Sequence, residues 1–273
     1  MSQHLRFPSH RFWTALKSTA TLQRATVFIG VVLLSSFAIA PIVLAGYKPP
    51  KSSRPSGSTI GTVVRGEGSC KAGTKGKLTA LAPLEQVGQT VSTHPTFVWY
   101  VPDVEVYPLN LSLYSYDSNG RLIPMRQLGP QSKEGIIPLQ SKEGIMQYQL
   151  LPGKAGLTVG QRYLWEVALV CKSGGAHKVQ VVRTDIEVVA MPATLQSSLA
   201  KTSDRLKRAR LYAEAGFWYD ALAETLPVNG THKTPPLTIT LLEDLVKLEP
   251  PGTLENPGQQ YTRLKQVIEI ERQ

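Results

Sequence analysis

The sequence predicts a mainly β protein: an immunoglobulin-like antiparallel β-sandwich followed by a small tetratricopeptide-like helical hairpin, with a signal or anchor helix at the N-terminus. Three observations predict it. Between residues 77 and 192 apolar and polar positions alternate with a period of two, broken by Gly, Pro and Asn turns. From residue 193 the period becomes helical. Residues 25–45, ATVFIGVVLLSSFAIAPIVLA, carry no charge. The expected order is a basic leader (1–24), the apolar segment (25–45), a Pro/Gly/Ser/Lys-rich linker (46–76), the sandwich (77–192), a helical appendix (193–249), and a second linker with a marginal C-terminal helix (250–273).

The apolar segment is about the length that crosses a ~30 Å hydrocarbon layer as a helix. Arg6, Arg11, Lys17 and Arg24 precede it with no acidic residue among them. This is the layout of an export signal or a signal anchor. A buried core helix is the poorer reading, because Ser35 and Ser36 do not recur with helical spacing. The expected location is therefore a periplasm or cell envelope. Two fates stay open. Val43-Leu44-Ala45 before Gly46 suits a signal peptidase, whereas a run longer than the usual ~7–15 apolar residues suits a retained anchor. Lys48, Lys51 and Arg54 balance the charge on the other side, so orientation is not fixed by flanking charge. A lipid-modified terminus is not expected, since Tyr47 stands where the cysteine would be.

The two cysteines, Cys70 and Cys171, both follow the apolar segment. An even pair in an exported segment reads as a disulfide. Closing a loop of about a hundred residues, it contributes on the order of 4 kcal/mol in the chain-entropy picture. Two buried free thiols are the alternative.

The net charge is +10. All of it belongs to residues 1–80, where Glu67 is the one acid; residues 81–273 are balanced. A nucleic-acid module concentrates its basic residues on the folded face, so no nucleic-acid partner is expected. The basic linker suits contact with an anionic lipid or wall polymer, or simple solvation.

Within the sandwich, LNLSL places Leu109, Leu111 and Leu113 on one face, and residues 118–120, SNG, supply a turn. YLWEVALVC places Tyr163, Trp165, Val167, Leu169 and Cys171 on one face and Glu166 on the other. In THPTFVWYVP, Phe97, Trp99 and Val101 oppose Val98 and Tyr100. With HKVQVVRTDIEVVA, KLTALAP, RLIPMRQ and the segment around Ile136, seven or eight strands are expected. It is not a true immunoglobulin domain: Cys70 lies 29 residues before Trp99, and Leu169 occupies the tyrosine-corner position. QSKEGI occurs twice, at 131–136 and 140–145. A nine-residue step inverts strand faces, so the copies read as a local duplication in a loop or hairpin.

After Pro192, Ser203 is the expected N-cap of a helix carrying Leu206, Ala209, Arg210 and Ala213. ARLYAEAGFWYDAL has the turn spacing of a tetratricopeptide repeat, with Ala209, Tyr212, Gly216, Trp218 and Ala221 packing between two helices. Phe217 and Tyr219 fall on other faces. They are expected to rest on the sandwich or to form a partner surface, with a sugar- or peptide-stacking platform as the alternative. LTITLLEDLVKL covers the hairpin. One repeat makes no solenoid, so the hairpin reads as an appendix docked on the sandwich.

These linked elements, RGEGSC, LTALAP with THPTFVWYVP, YLWEVALVC, and LYAEAGFWYDAL leading to LLEDLVKL, behind an N-terminal signal, resemble the cyanobacterial domain-of-unknown-function family nine-two-eight. The resemblance runs from about residue 59 to 248. It implies an exported envelope protein with no assigned activity, catalytic residue or ligand. The duplicated QSKEGI and the tail beyond Glu249 depart from the shared pattern.

Catalytic signals are absent from the sequence. His94, His177 and His232 are isolated, and no paired His or Cys spacing points to zinc. No nucleophile elbow or phosphate-binding loop occurs. SLAK at 198–201 lacks its companion motifs and reads as coincidence. Glu166 and Asp220 form a carboxylate pair only if the fold joins them. The sequons at Asn110 and Asn229 read as accidental. No cofactor or metal is expected, and the protein is not expected to be an enzyme. The leading expectation is a non-catalytic envelope module that binds an unidentified envelope protein. A carbohydrate- or peptidoglycan-binding module is the alternative, and an envelope hydrolase the third reading.

Overall fold

Strand pairing follows the alternation. In the computed structural model, which describes residues 46–50, 60–65, 76–102, 105–128, 131–132, 135–136, 139–153, 155–173, 176–227, 233–251 and 259–273, the chain is mainly β with five helices among those residues. The strands are β1 (Ile60–Arg65), β2 (Thr79–Ala80), β3 (Gly88–Thr90), β4 (Thr96–Val101), β5 (Pro108–Tyr116), β6 (Leu122–Leu128), β7 (Gln131–Ser132), β8 (Gly135–Ile136), β9 (Leu139–Gln140), β10 (Gly144–Gln149), β11 (Arg162–Ser173) and β12 (Ala176–Val188). The helices are α1 (Ala193–Leu199), α2 (Arg205–Glu214), α3 (Trp218–Thr225), α4 (Pro236–Leu248) and α5 (Gln259–Glu271).

A seven-stranded sheet runs β1-β12-β11-β5-β6, with β3 also on β12 and β9 also on β5. All its pairings are antiparallel except β3 on β12. A three-stranded antiparallel sheet runs β10-β4-β2. The apolar parities expected on β5 and β11 are the buried ones: Leu109, Leu111, Leu113, Tyr163, Trp165, Val167 and Leu169 share one core with Phe97, Trp99 and Val101 of β4. Phe97 and Trp165 meet across the two sheets at 5.4 Å between ring centroids. All six residues of β4 are buried, so both of its faces are covered.

Cys171 closes the apolar row of β11; it is fully buried and disulfide-bonded. The sequence's other cysteine, Cys70, lies outside the described residues. So does the 25–45 segment on which the expected signal or anchor falls; among the described residues no helix is long and apolar enough to cross a membrane.

Two parts of the expected 46–76 linker are structured instead. Ile60–Arg65 pairs antiparallel with β12, because IGTVVR carries the β-branched residues that a pleated edge accepts. Tyr47 is buried and meets Trp218 edge-to-face at 5.0 Å. Lys48 N donates to Ala213 O at 3.0 Å. The C-terminal helix is more than marginal: Leu264 and Val267 of α5 are buried, and Gln260 Nε2 donates to Ala80 O at 2.9 Å.

The duplicated hexapeptide takes two conformations. The first copy folds on itself, Gln131 opposite Ile136 and Ser132 opposite Gly135. The second leaves β9 in the large sheet at Gln140 and enters β10 in the small sheet at Gly144, whose φ of +94° a side chain would strain. At this crossing Ser141 is buried, and its Oγ accepts from Tyr107 N at 2.7 Å.

Helix α2 starts one residue later than expected. Asp204, not Ser203, is the N-cap and accepts from Leu206 N and Lys207 N, since its carboxylate reaches both exposed donors. The helix ends in a Schellman closure: Gly216 N donates to Ala213 O at 3.1 Å and Phe217 N to Tyr212 O at 2.9 Å, with Gly216 at φ +88°. Ala209, Tyr212, Gly216, Trp218 and Ala221 are all buried at this helix–turn–helix.

Phe217 and Tyr219 are buried too; of their two expected roles, resting on the sandwich and forming a partner surface, burial fits the first and leaves no room for the second. Hairpin spacing assigns them to other faces, but those faces meet the sheets. Tyr219 Oη accepts from Trp165 Nε1 at 2.9 Å and donates to Asp185 O at 3.0 Å, and burial pushes its phenol well above the ordinary value. Tyr219→Phe removes both bonds and takes the acceptor from the buried Trp165 indole N–H while keeping the ring. It is expected to cost about 1–3 kcal/mol in urea unfolding.

Glu249 follows α4, is buried, and accepts from Leu84 N at 2.8 Å. Burial raises its carboxyl to about 7. The folded state therefore holds a proton that the unfolded chain has released, and stability falls as pH rises from about 4.5 to about 7. Glu249→Gln keeps an acceptor for Leu84 N–H; thermal melts across that window are expected to show a flatter pH dependence than the parent.

Candidate functional site

Spacing alone brings charges together on the hairpin. Arg205, Arg208 and Tyr212 lie three and four residues apart on α2, and Asp220 and Glu224 four apart on α3. The Gly216 turn sets these rows beside each other. Glu224 accepts from Arg208 Nε at 2.6 Å and from Arg205 Nε at 3.2 Å. Arg205 Nη2 also donates to Ala223 O at 2.7 Å, and the Arg208 guanidinium lies 5.8 Å from the Tyr212 ring centroid. Two guanidinium groups thus share one carboxylate.

The hairpin forms one wall of a cleft of 570 Å³. The facing wall comes from β3, the 91–95 turn, β4 and β10, with Thr90, Ser92, His94, Gln147 and Gln149 along it. Gln147 and Gln149 share a face of β10 because strand side chains alternate, and both are exposed. Gln147 Nε2 donates to Pro227 O at 3.1 Å and ties the walls at one end. The volume is within the range of small-ligand clefts.

Asp220 sits in the first turn of α3, where an acidic residue suits the positive end of the helix. Its Oδ2 accepts from Val91 N at 3.0 Å. Burial raises its carboxyl to about 6, against the lowering effect of the Val91 N–H and the Thr90 hydroxyl. At neutral pH the cleft holds this carboxylate opposite the arginine pair.

Ser92, His94 and Asp220 all line the cleft. Ser92 Oγ accepts from His94 backbone N at 3.1 Å, while His94 Nδ1 pairs with Thr93 Oγ1 at 3.0 Å. Glu166 does not join Asp220 at the cleft; it lies on β11 and accepts from Tyr114 Oη at 3.4 Å. Ser198 of SLAK donates to Thr194 O within α1 at 3.0 Å. Among the described residues no group of three or more His, Cys, Asp or Glu is placed to hold a metal ion. His232 and Asn229 lie outside the described residues, as does the side chain of His177.

The stacking platform does not form, since Phe217, Trp218 and Tyr219 are all buried. On this hairpin the aromatics carry the louder sequence signal, and Arg205, Arg208 and Glu224 a quieter one. The i,i+3 and i,i+4 charges flanking the glycine turn were the signal for them. Gln147 and Gln149 carried none, because polar residues on an edge strand look like any solvated face.

A family model described as Domain of Unknown Function (DUF928) matches residues 60–248. No curated protein sequence matches the chain. Among solved structures, a lytic polysaccharide monooxygenase important for chitin utilization in Cellvibrio japonicus is similar at a TM-score of 0.25 and 12% identity, over 38% of this chain and 55% of that one. A β-glucuronidase of Parabacteroides merdae is similar at a TM-score of 0.17 and 12% identity, over 56% of this chain and 23% of that one. Likenesses this slight carry over neither fold nor activity.

Asp220 sets a test of the cleft's electrostatics. Its carboxyl is raised in the folded state, so it opposes stability as pH climbs from about 4 to about 6. Asp220→Asn retains an acceptor for Val91 N–H. Thermal melts are expected to show the variant equal to the parent near pH 4 and more stable by on the order of 1 kcal/mol at pH 7.

Proposed function

The chain belongs to the family described as Domain of Unknown Function (DUF928), and we propose that it is a non-catalytic, exported binding module whose cleft between α2–α3 and the β3–β4–β10 wall takes an extended polar segment of a partner protein in the cell envelope. In this reading the two sheets are an immunoglobulin-like sandwich, and α2–α3 is a tetratricopeptide-like hairpin docked on it. The observation that carries the proposal is the composition of the cleft. Gln147 and Gln149 offer amide donors and acceptors of the kind that pair with a peptide backbone, and Arg205 and Arg208 offer guanidinium donors beyond those engaged by Glu224. The lining favours a hydrogen-bonding segment over a stacked sugar, because the three adjacent aromatics of the hairpin face inward. The basic 51–75 stretch adds contact with anionic lipid or wall polymer in the same setting.

The test places a photo-crosslinking residue at Gln149, inside the cleft, and separately at Ile123, exposed on β6. In the full exported chain, the Gln149 position is expected to give a discrete protein adduct that Ile123 does not. Arg208→Glu, which sets like charge against Glu224, is expected to reduce that adduct at least about tenfold with folding retained. Equal labelling from both positions, or an adduct indifferent to Arg208→Glu, removes the proposal.

A further inference from the structure

A Cβ at Gly46 would stand 2.8 Å from Asp244 Oδ2, so a side chain there fits only if the Asp244 carboxylate shifts. The next backbone N–H, that of Tyr47, donates to this same oxygen at 3.0 Å. The nitrogen of residue 46 is about 2.5 Å from that Cβ position by bond geometry, which puts it within about 5 Å of the carboxylate. Asp244 is buried, and its other oxygen accepts from Lys247 Nζ at 2.6 Å. A carboxylate has about four lone-pair sites, so this one has capacity for a further donor.

The residues that follow are locked down. Tyr47 packs on Trp218, and its Oη donates to Gly216 O at 3.5 Å. Lys48 O would lie 3.0 Å from any Cβ at position 216, so Gly216 serves this contact as well as the helix turn. In the sequence, Val43-Leu44-Ala45 place short residues immediately before Gly46, the pattern a signal peptidase cuts.

We propose that the chain is cut between Ala45 and Gly46, and that the new α-ammonium of Gly46 docks on Asp244, making the mature N-terminus part of the helical layer. The cut is a hydrolysis by a signal peptidase. The Ala45–Gly46 C–N bond breaks and water adds across it. Ala45 leaves with the water oxygen in its carboxylate, and Gly46 nitrogen adds both water protons to its own hydrogen and becomes an ammonium. Cutting precedes docking, because a bond against Asp244 is out of a protease's reach once Tyr47 is buried. Glycine at 46 then lets the terminus lie against the carboxylate.

This inference rests on export of the chain, and its test separates the two. The full chain is expressed with residues 1–45 in a bacterium, fractionated, and weighed intact. The expected mass is that of residues 46–273 in the exported fraction. An intact chain in the cytosol overturns export and this inference together. An exported chain that keeps residues 25–45, or begins elsewhere, overturns this inference alone. On the mature protein, the Gly46 amine is expected to react with an amine-directed acylating reagent at least about tenfold more slowly in the native state than in urea. Asp244→Asn is expected to abolish that protection while exposed lysines react unchanged. An amine equally reactive in native and urea-unfolded protein overturns the docking whether or not the variant folds.

Discussion

The fold depends on keeping one irregular segment buried. Residues 78–84, LTALAPL, lie almost wholly out of solvent, yet only Thr79–Ala80 is strand. A buried backbone outside regular structure has to find partners for its amides and carbonyls elsewhere. Side chains supply them from two directions. From β12, Gln180 Oε1 accepts from Leu78 N at 3.3 Å, and Thr184 Oγ1 donates to Pro83 O at 2.5 Å. From the helices, Gln260 donates to Ala80 O, Trp218 Nε1 donates to Leu81 O at 2.9 Å, and Glu249 accepts from Leu84 N. Each helical partner comes from a different place along the chain. The segment is thus held only when α3, the end of α4 and α5 are all in position, and this makes the helices integral to the fold rather than appended to it.

That dependence fixes the cleft. Trp218 and Tyr219 are consecutive at the start of α3; one reaches the 78–84 segment, and the other reaches Trp165 and Asp185 of the large sheet. Gly88 on β3 leaves the space that Tyr219 fills, with a Cβ there 2.8 Å from the ring. Helix α3 therefore cannot shift along the sheet without breaking buried hydrogen bonds. Asp220 and Glu224, further along the same helix, inherit that position, and Glu224 in turn holds both arginines of α2. The cleft is preorganised by bonds made on the opposite face of its own wall.

How much of this the sequence revealed depended on whether a residue's environment was set locally. On β5, and on β11 apart from the buried Leu164, one face meets the core and the other is partly exposed, so LNLSL and YLWEVALVC display their roles directly. The hairpin positions from Ala209 to Ala221 were legible for the same reason, since helix-to-helix spacing is a local property. For Phe217 and Tyr219 two roles stayed open, because spacing within two helices says nothing of a sheet behind them. Tyr47 was hidden by its surroundings: a Pro/Gly/Ser/Lys-rich context reads as solvated, and one aromatic does not change that. QSKEGI is the sharpest case. The two ends of the first copy pair with each other, Gln131 with Ile136 and Ser132 with Gly135, while the second copy crosses between sheets at 140–145, so tertiary context chose the conformation.

The cleft's polarity follows from what the core consumed. Aromatic side chains near the hairpin are spent inside: Trp165, Trp218 and Tyr219 each have a polar atom that finds a buried partner, so burying them strands no hydrogen-bonding group there. The groups left to face solvent at the seam are charges and amides. Those charges are not independent of the fold. Asp220 is both the acceptor that ties the 91–95 turn to α3 and a carboxylate lining the cleft. A cationic group arriving there would favour the ionised form that burial disfavours, so occupancy and ionisation of Asp220 are thermodynamically linked. A shift between mildly acid and neutral pH changes the charge of this site across the range where Asp220 titrates. The same carboxylate then tunes the cleft's charge without any change in the backbone that frames it.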